Sequence, residues 1–147
     1  MTTSSTPFGT AGAPAGLPPQ PAAGRARVLV VEDNPDIRSM LRTMLELRGY
    51  DVLEAADGEQ GVRVAEIERP SLILMDALLP RLDGLAATRR IRALAPLADV
   101  PVVFLSGHTH PEFRDEALSS GGDDFLIKPV GLAELERVIE RHLGKSS

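Results

Sequence analysis

Five polar residues follow short apolar runs: Glu32 and Asp33 after VLVV, Asp76 after LILM, Ser106 after VVFL and Lys128 after FLI. They lie far apart along the chain, so only a fold could bring them into one site. If it does, three carboxylates converging without a cation repel one another and raise at least one pKa, a cost that a bound divalent metal removes. All-oxygen ligation by few protein groups suits Mg²⁺, which keeps several waters and leaves positions for a phosphate oxygen. A carboxylate is also a competent nucleophile toward phosphorus, and Asp76 is the best candidate to become an aspartyl phosphate. Charge developing on the transferring phosphoryl group would then meet a fixed cation, Lys128, and a hydroxyl donor, Ser106. No general base is needed, because the carboxylate attacks already ionised.

The elements that must position these groups are legible from periodicity. Val28–Val31, Leu72–Met75 and Val102–Leu105 are unbroken apolar runs, as expected for parallel strands covered on both faces. Asp51–Ala55 and Asp124–Ile127 are weaker strands, each after a Gly-containing break. Asn34 caps a helix that has Pro35 at its first position. Its stripe of Ile37, Met40, Leu41, Met44 and Leu45 stops at Arg48-Gly49. Asp57 caps a second helix running through Ile67, Gly84 to Ala93 gives a third, Pro111 to Ser119 a fourth and Leu132 to Leu143 a fifth. Strands alternating with helices of this length imply right-handed crossovers and an α/β fold with a doubly wound parallel sheet. In such a sheet the ligand site lies beyond the carboxyl ends of the strands, which is where all five polar residues stand.

Composition narrows the classes of function. The 147 residues suit one domain, and 43% apolar with 25% charged is ordinary globular usage. A net charge of −5 without a basic cluster disfavours a nucleic-acid surface, and 3% aromatic residues leave no stacking platform. The absence of Cys excludes disulfides and thiolate chemistry. No apolar run approaches the ~20 residues of a membrane span, and residues 1–24 contain no Lys or Arg and no signal-like core, so a cytoplasmic protein is expected. Residues 1–24 carry no charge and five of the 12 Pro, and read as a disordered Pro/Ala/Gly-rich tail. A docking peptide around Phe8 and Pro18-Pro19 is the other reading of that tail. The folded domain is expected over 25–144, with 145–147 as a C-terminal tail.

Taken together, VLVVEDN, LILMDALLPRLDG, VVFLSG and DDFLIKP resemble the response-regulator receiver domain of two-component signalling from about Arg27 to Leu143. The resemblance implies a (βα)5 flavodoxin-like sandwich with a five-stranded parallel sheet in the order 2-1-3-4-5. It implies that Asp76 is the phosphoacceptor and that Glu32, Asp33, Asp76 and the backbone carbonyl of Leu78 hold Mg²⁺. Lys128 and Ser106 take the positions of the lysine and the phosphate-sensing hydroxyl. Ser106 and Phe125 together form the switch, and a cis peptide is expected at Lys128-Pro129. Phosphate would draw Ser106 inward, admit Phe125 and alter a face made of helix 4, strand 5 and helix 5. The implied donor is a histidine kinase or histidine phosphotransfer protein. The implied output is an unidentified protein target or a phosphorylation-dependent homodimer, with neither nucleic acid nor membrane as partner. The chain ends soon after Leu143, so a stand-alone receiver is expected, catalysing only its own phosphorylation and dephosphorylation. Three positions depart from the common pattern: Phe125 where Tyr is frequent, apolar Leu78 where polar residues are common, and Glu32 in place of Asp.

Plainer readings exist for each residue. Asp33-Asn34-Pro35-Asp36 alone is an adequate turn and helix cap, Asp76 could cap a local turn, and Ser106-Gly107 could be loop punctuation. His108 and His110 lack the further ligands of a metal pair, and His142 suits the C-terminal dipole of its helix. Met40, Met44 and Met75 read as packing. Among competing functions, an Asp-nucleophile phosphohydrolase would carry a second Asp two residues on, where Leu78 stands. A nucleotide-binding loop is missing, and a phosphate-independent interaction module of the same fold is the remaining alternative.

Overall fold

The computed structural model describes residues 25–107 and 111–144. The expected tails, the Phe8 segment, His108 and His110 lie outside the described residues. Among the described residues five strands and five α-helices alternate along the chain. They are β1 (Arg27–Val31), α1 (Pro35–Leu47), β2 (Asp51–Ala55), α2 (Gly58–Glu68), β3 (Leu72–Asp76), α3 (Gly84–Arg92), β4 (Val102–Ser106), α4 (Pro111–Ser119), β5 (Asp124–Ile127) and α5 (Leu132–Leu143). All strand pairs are parallel and the sheet order is β2-β1-β3-β4-β5, the order the resemblance implied.

The apolar runs are continuous because successive residues of a strand face opposite layers, and both layers are covered by helices. Val28, Val30, Leu72, Leu74, Val103 and Leu105 pack with Leu41 and Leu45 of α1 and with Leu135, Val138 and Ile139 of α5. Their neighbours Leu29, Val31, Ile73, Met75, Val102 and Phe104 face the other way, onto Val62 and Ala65 of α2, Ala87 and Ile91 of α3 and Ala117 of α4. The weaker patterns belong to the edges: β2 and β5 each pair on one side only. Asp51–Ala55 accordingly has a single fully buried residue, Ala55.

Helix starts follow the cap chemistry read from sequence. Asn34 Oδ1 accepts from the backbone N–H groups of Asp36 (2.9 Å) and Ile37 (3.1 Å), and Asp57 Oδ1 accepts from Gln60 N–H at 2.8 Å. Asp83 does the same for Ala86 N–H at 2.9 Å. Three details differ from expectation. β3 and β4 run one residue past their apolar stretches, to Asp76 and Ser106, because the backbone ladder continues regardless of side chain. A 3-10 turn, Ala95–Leu97, interrupts the α3–β4 connection and drives Leu97 into the core. Met40 does not belong to the core stripe: it is 43% exposed, because α1 docks through Leu41 and Leu45 and leaves Met40 at the flank. Among the described residues no helix is long and apolar enough to cross a membrane.

Two features yield predictions. A Cβ on Gly58 would lie 1.7 Å from the Leu82 carbonyl oxygen, backbone that cannot step aside without moving the whole β3–α3 loop. Gly58→Ala should therefore lower unfolding stability by roughly 1–3 kcal/mol, read as a lower urea midpoint at unchanged slope. The second concerns Asp124. Burial alone would raise its pKa, but the Phe125 N–H, His142 Nε2 at 3.0 Å and Arg141 outweigh burial and hold it below the usual value. His142 thus has a defined partner in addition to the helix dipole. A depressed folded pKa means the unfolded chain binds the proton more readily. Asp124's contribution is therefore complete above its ordinary pKa of about 3.9 and is lost as pH falls through the lower folded value. Asp124→Asn should flatten the fall of stability in that acid window, as followed by urea melts from pH 5 to 2.5.

Candidate functional site

The register of the sheet lines up the carboxyl ends of β1, β3, β4 and β5 at one edge. Val31 pairs with Met75, so Glu32 leaves β1 beside Asp76. Ser106 pairs with Ile127, so Lys128 leaves β5 beside Ser106. The N–H of Lys128 donates to the Ser106 carbonyl at 2.8 Å, fixing the two in place. The peptide bond between Lys128 and Pro129 is cis, as the resemblance implied.

Glu32, Asp76 and Ser106 are buried, and Asp33 stands exposed at the mouth. One carboxylate oxygen from each of Glu32, Asp33 and Asp76 lies within 4.8 Å of the other two. The Lys128 ammonium bridges the buried pair, donating to Glu32 Oε1 at 2.9 Å and Asp76 Oδ2 at 3.0 Å. The remaining oxygens are also held: Asn34 N–H donates to Glu32 Oε2 at 3.2 Å and Leu78 N–H to Asp76 Oδ1 at 3.1 Å. Burial raises the Glu32 pKa most. Lys128 and the Asn34 N–H pull it back, and the neighbouring Asp76 pushes it further up. Lys128 is raised despite burial, because hydrogen bonds and charge from Glu32 and Asp76 outweigh the loss of solvent.

One ammonium facing three carboxyl groups leaves the site acidic. The donors are all hard oxygens, two of them buried and one open to solvent, which fits a small divalent cation such as Mg²⁺ that keeps part of its water shell. The structure thus assembles Glu32, Asp33, Asp76 and Lys128, with Ser106 adjacent through the backbone. Leu78 follows in the β3–α3 loop with its side chain 61% exposed. Phe125 is not among the carboxylates. It sits in β5, in register with Phe104 and partly buried in the core facing α2, α3 and α4.

Two contributors escaped the sequence reading. Gly84 was read only as a helix start, yet a Cβ there would lie 2.2 Å from the Asp76 carbonyl oxygen, and its N–H donates to Ala77 O at 3.0 Å. The close return of α3 onto the end of β3 therefore demands glycine, a need to which the Asp83-Gly84 pair was the available signal. Arg38 received no role, yet its Nη1 donates to the Glu32 carbonyl at 2.8 Å.

Comparison with known proteins bears on the family and the fold. The family model described as response regulator receiver domain matches residues 28–140. The transcriptional regulatory protein PrrA of Mycobacterium bovis is 41% identical over 109 residues, covering 74% of this chain and 46% of that protein. The chain spans about half the length of several of the curated relatives it matches. Among solved structures, the receiver domain of the sensor histidine kinase PA1611 from Pseudomonas aeruginosa is 42% identical, with a TM-score of 0.77, covering 82% of this chain and 99% of that one. Its description places a coordinated magnesium ion in the active-site cleft. The chemotaxis protein CheY4 of Vibrio cholerae superposes with a TM-score of 0.78 at 30% identity, covering 81% of this chain and 99% of that one.

Removing the bridging ammonium tests the electrostatics directly. With EDTA present, Lys128→Met leaves two buried carboxyl groups facing each other, and stability at pH 7 should fall by roughly 1–3 kcal/mol. The loss should shrink toward pH 5 as Glu32, whose pKa is already raised, takes up a proton. Urea melts at the two pH values measure it.

Proposed function

The chain belongs to the response regulator receiver domain family, and on that premise we propose that it works as a phosphorylation-dependent signalling switch with Asp76 as phosphoacceptor. The observation that carries this reading is the Asp76 carboxylate, buried at the strand edge, with Lys128 on one oxygen and two further acids within reach. The domain doing this spans 25–144. Its phosphodonor is a histidine kinase or histidine phosphotransfer protein, and its proposed location is the cytoplasm.

In the proposed reaction an Asp76 oxygen attacks the phosphorus of a phosphohistidine, the O–P bond forms, and the P–N bond breaks with its electron pair leaving on the imidazole. The Lys128 ammonium donates to one oxygen of the attacking carboxylate and the Leu78 N–H to the other. Oδ1 and Oδ2 are held by different donors, so the carboxylate has one orientation toward an incoming phosphorus. Lys128 would follow the charge that develops on the phosphoryl oxygens, and the Ser106 hydroxyl would donate to one of them. Glu32, Asp33, Asp76 and the Leu78 carbonyl would hold Mg²⁺, which when bound supplies the positive charge that lets a phosphate sit among carboxylates. Lys128 then exchanges part of its bonding with Glu32 for the phosphoryl group.

Output follows from position. Movement of Ser106 toward phosphate makes room on the sheet edge, and Phe125, partly buried one strand away, takes it up. The surface formed by α4, β5 and α5 then changes its affinity for a protein target or for a second copy of the chain. The protein turns over no external product beyond its own phosphorylation and dephosphorylation.

Intact mass after incubation with Mg²⁺ and acetyl phosphate tests the reading. We expect a gain of one phosphoryl group that disappears in Asp76→Asn and in EDTA. Absence of an adduct, together with an unchanged spectrum on adding beryllofluoride and Mg²⁺, would leave only a phosphate-independent interaction module of this fold.

A further inference from the structure

The backbone that presents Asp33 is held from several sides. Glu32 N–H donates to the Ala55 carbonyl at the end of β2 at 3.0 Å, and the Glu32 carbonyl accepts from Arg38 Nη1 at 2.8 Å. The Glu32 carbonyl and the Asp33 N–H belong to one rigid peptide plane. A donor fixed to that carbonyl therefore fixes the plane from which the Asp33 Cα, and so its carboxylate, projects. Asp33 is the exposed member of the acidic cluster.

Arg38 is itself well anchored. Its Nε donates to Glu54 Oε1 at 3.1 Å, its backbone N–H donates to the Asn34 carbonyl at 2.9 Å, and its side chain is only 21% exposed. The other Glu54 oxygen accepts from Arg42 Nη1, and Arg42 Nε also donates to Glu46 at 3.1 Å. A relay thus runs from α1 to the edge strand β2 and back to the β1–α1 turn. A lone guanidinium so close to a cation site would repel the cation. Pairing with Glu54 offsets that charge and leaves the orienting hydrogen bond as the main effect.

We propose that Arg38 is a positioning residue for the divalent-cation site, holding the Glu32–Asp33 peptide so that Asp33 converges on Glu32 and Asp76, with Glu54 locking Arg38 in that pose. This rests on the reading of the site given above. It assigns Arg38 and Glu54 a part in metal affinity that their distance from the reacting atoms conceals. Partners of this kind, which hold a metal-ligating group in place, commonly change metal affinity by about 10–100-fold when removed.

The test is calorimetric titration of the full chain with MgCl₂, well below the melting temperature, for wild type, Arg38→Met, Arg38→Lys and Glu54→Gln. Asp33→Asn serves as the loss control, and thermal melts in EDTA run in parallel. Arg38→Met should raise the Mg²⁺ Kd roughly tenfold or more. Arg38→Lys should also weaken binding, because an ammonium keeps the charge but cannot reach the Glu32 carbonyl and Glu54 together as the planar fork does. Glu54→Gln should act in the same direction by less, and it keeps the test open if Arg38→Met fails to fold. An Arg38 acting only through charge would instead give tighter binding in Arg38→Met and unchanged binding in Arg38→Lys, and that result overturns the proposal. So does a lowered melting temperature with Kd unchanged, which would make the relay a purely structural brace. If wild type itself binds no Mg²⁺, the reading of the acidic site falls, and the role of Arg38 with it.

Discussion

The Lys128 ammonium sits between two buried carboxylates, Glu32 and Asp76, that arrive from different strands. Burial drives the Glu32 pKa upward, and the hydrogen bond from Lys128 pulls it back. The lysine makes the pair tenable, and it also ties the end of β5 across β4 to the ends of β3 and β1. Such a pair is weak evidence for stability, because desolvation offsets most of its Coulomb gain. What it provides is a site in which one ammonium holds two buried acids from different strands at hydrogen-bond distance.

Everything beneath that site serves to hold it still. The sheet is apolar on both faces, and its central strands are buried but for Arg27 at the start of β1, so the positions of Glu32, Asp76 and Ser106 are fixed by ladders that cannot shift without exposing a core face. The loop after β3 is held as tightly. Gly58 and Gly84 allow backbone contacts closer than any side chain would permit, and Arg81, at φ +69, pairs with the helix cap Asp57 at 3.3 Å. Leu78 therefore offers its N–H to Asp76 from a loop that is clamped at both ends. Rigid support and an exposed mouth go together here: Asp33 and Leu78 face solvent, whereas the groups they flank do not.

Much of this was legible in the residues. The three central strands, the caps at Asn34 and Asp57, and the polar residues at the ends of four strands follow from apolar run length and Asx chemistry, which are local. The four motifs together were enough to name the family and the sheet order. Met40 was misplaced because five apolar residues at helical spacing do not say how α1 rolls on the sheet. That roll is decided by the packing of Leu41 and Leu45 against Val28 and Val30. Gly84 and Arg38 were passed over because their importance depends on backbone atoms of distant elements, the Asp76 and Glu32 carbonyls, whose approach no pattern encodes.

Hydrophobic periodicity and residue type are properties of each segment taken alone, so the layered α/β architecture and the inventory of chemistry are written in them. Which oxygens face which donors depends on the assembled fold. Lys128 could have been a solvated charge, His142 a helix-end cation and Arg38 a surface arginine. They became partners of Glu32 and Asp76, of Asp124, and of the Glu32 carbonyl when the crossovers brought separate strands to one edge. The reason is physical: hydrogen bonds and ion pairs act over a few ångströms, and distances on that scale between remote segments exist only after the sheet has closed and its register is fixed.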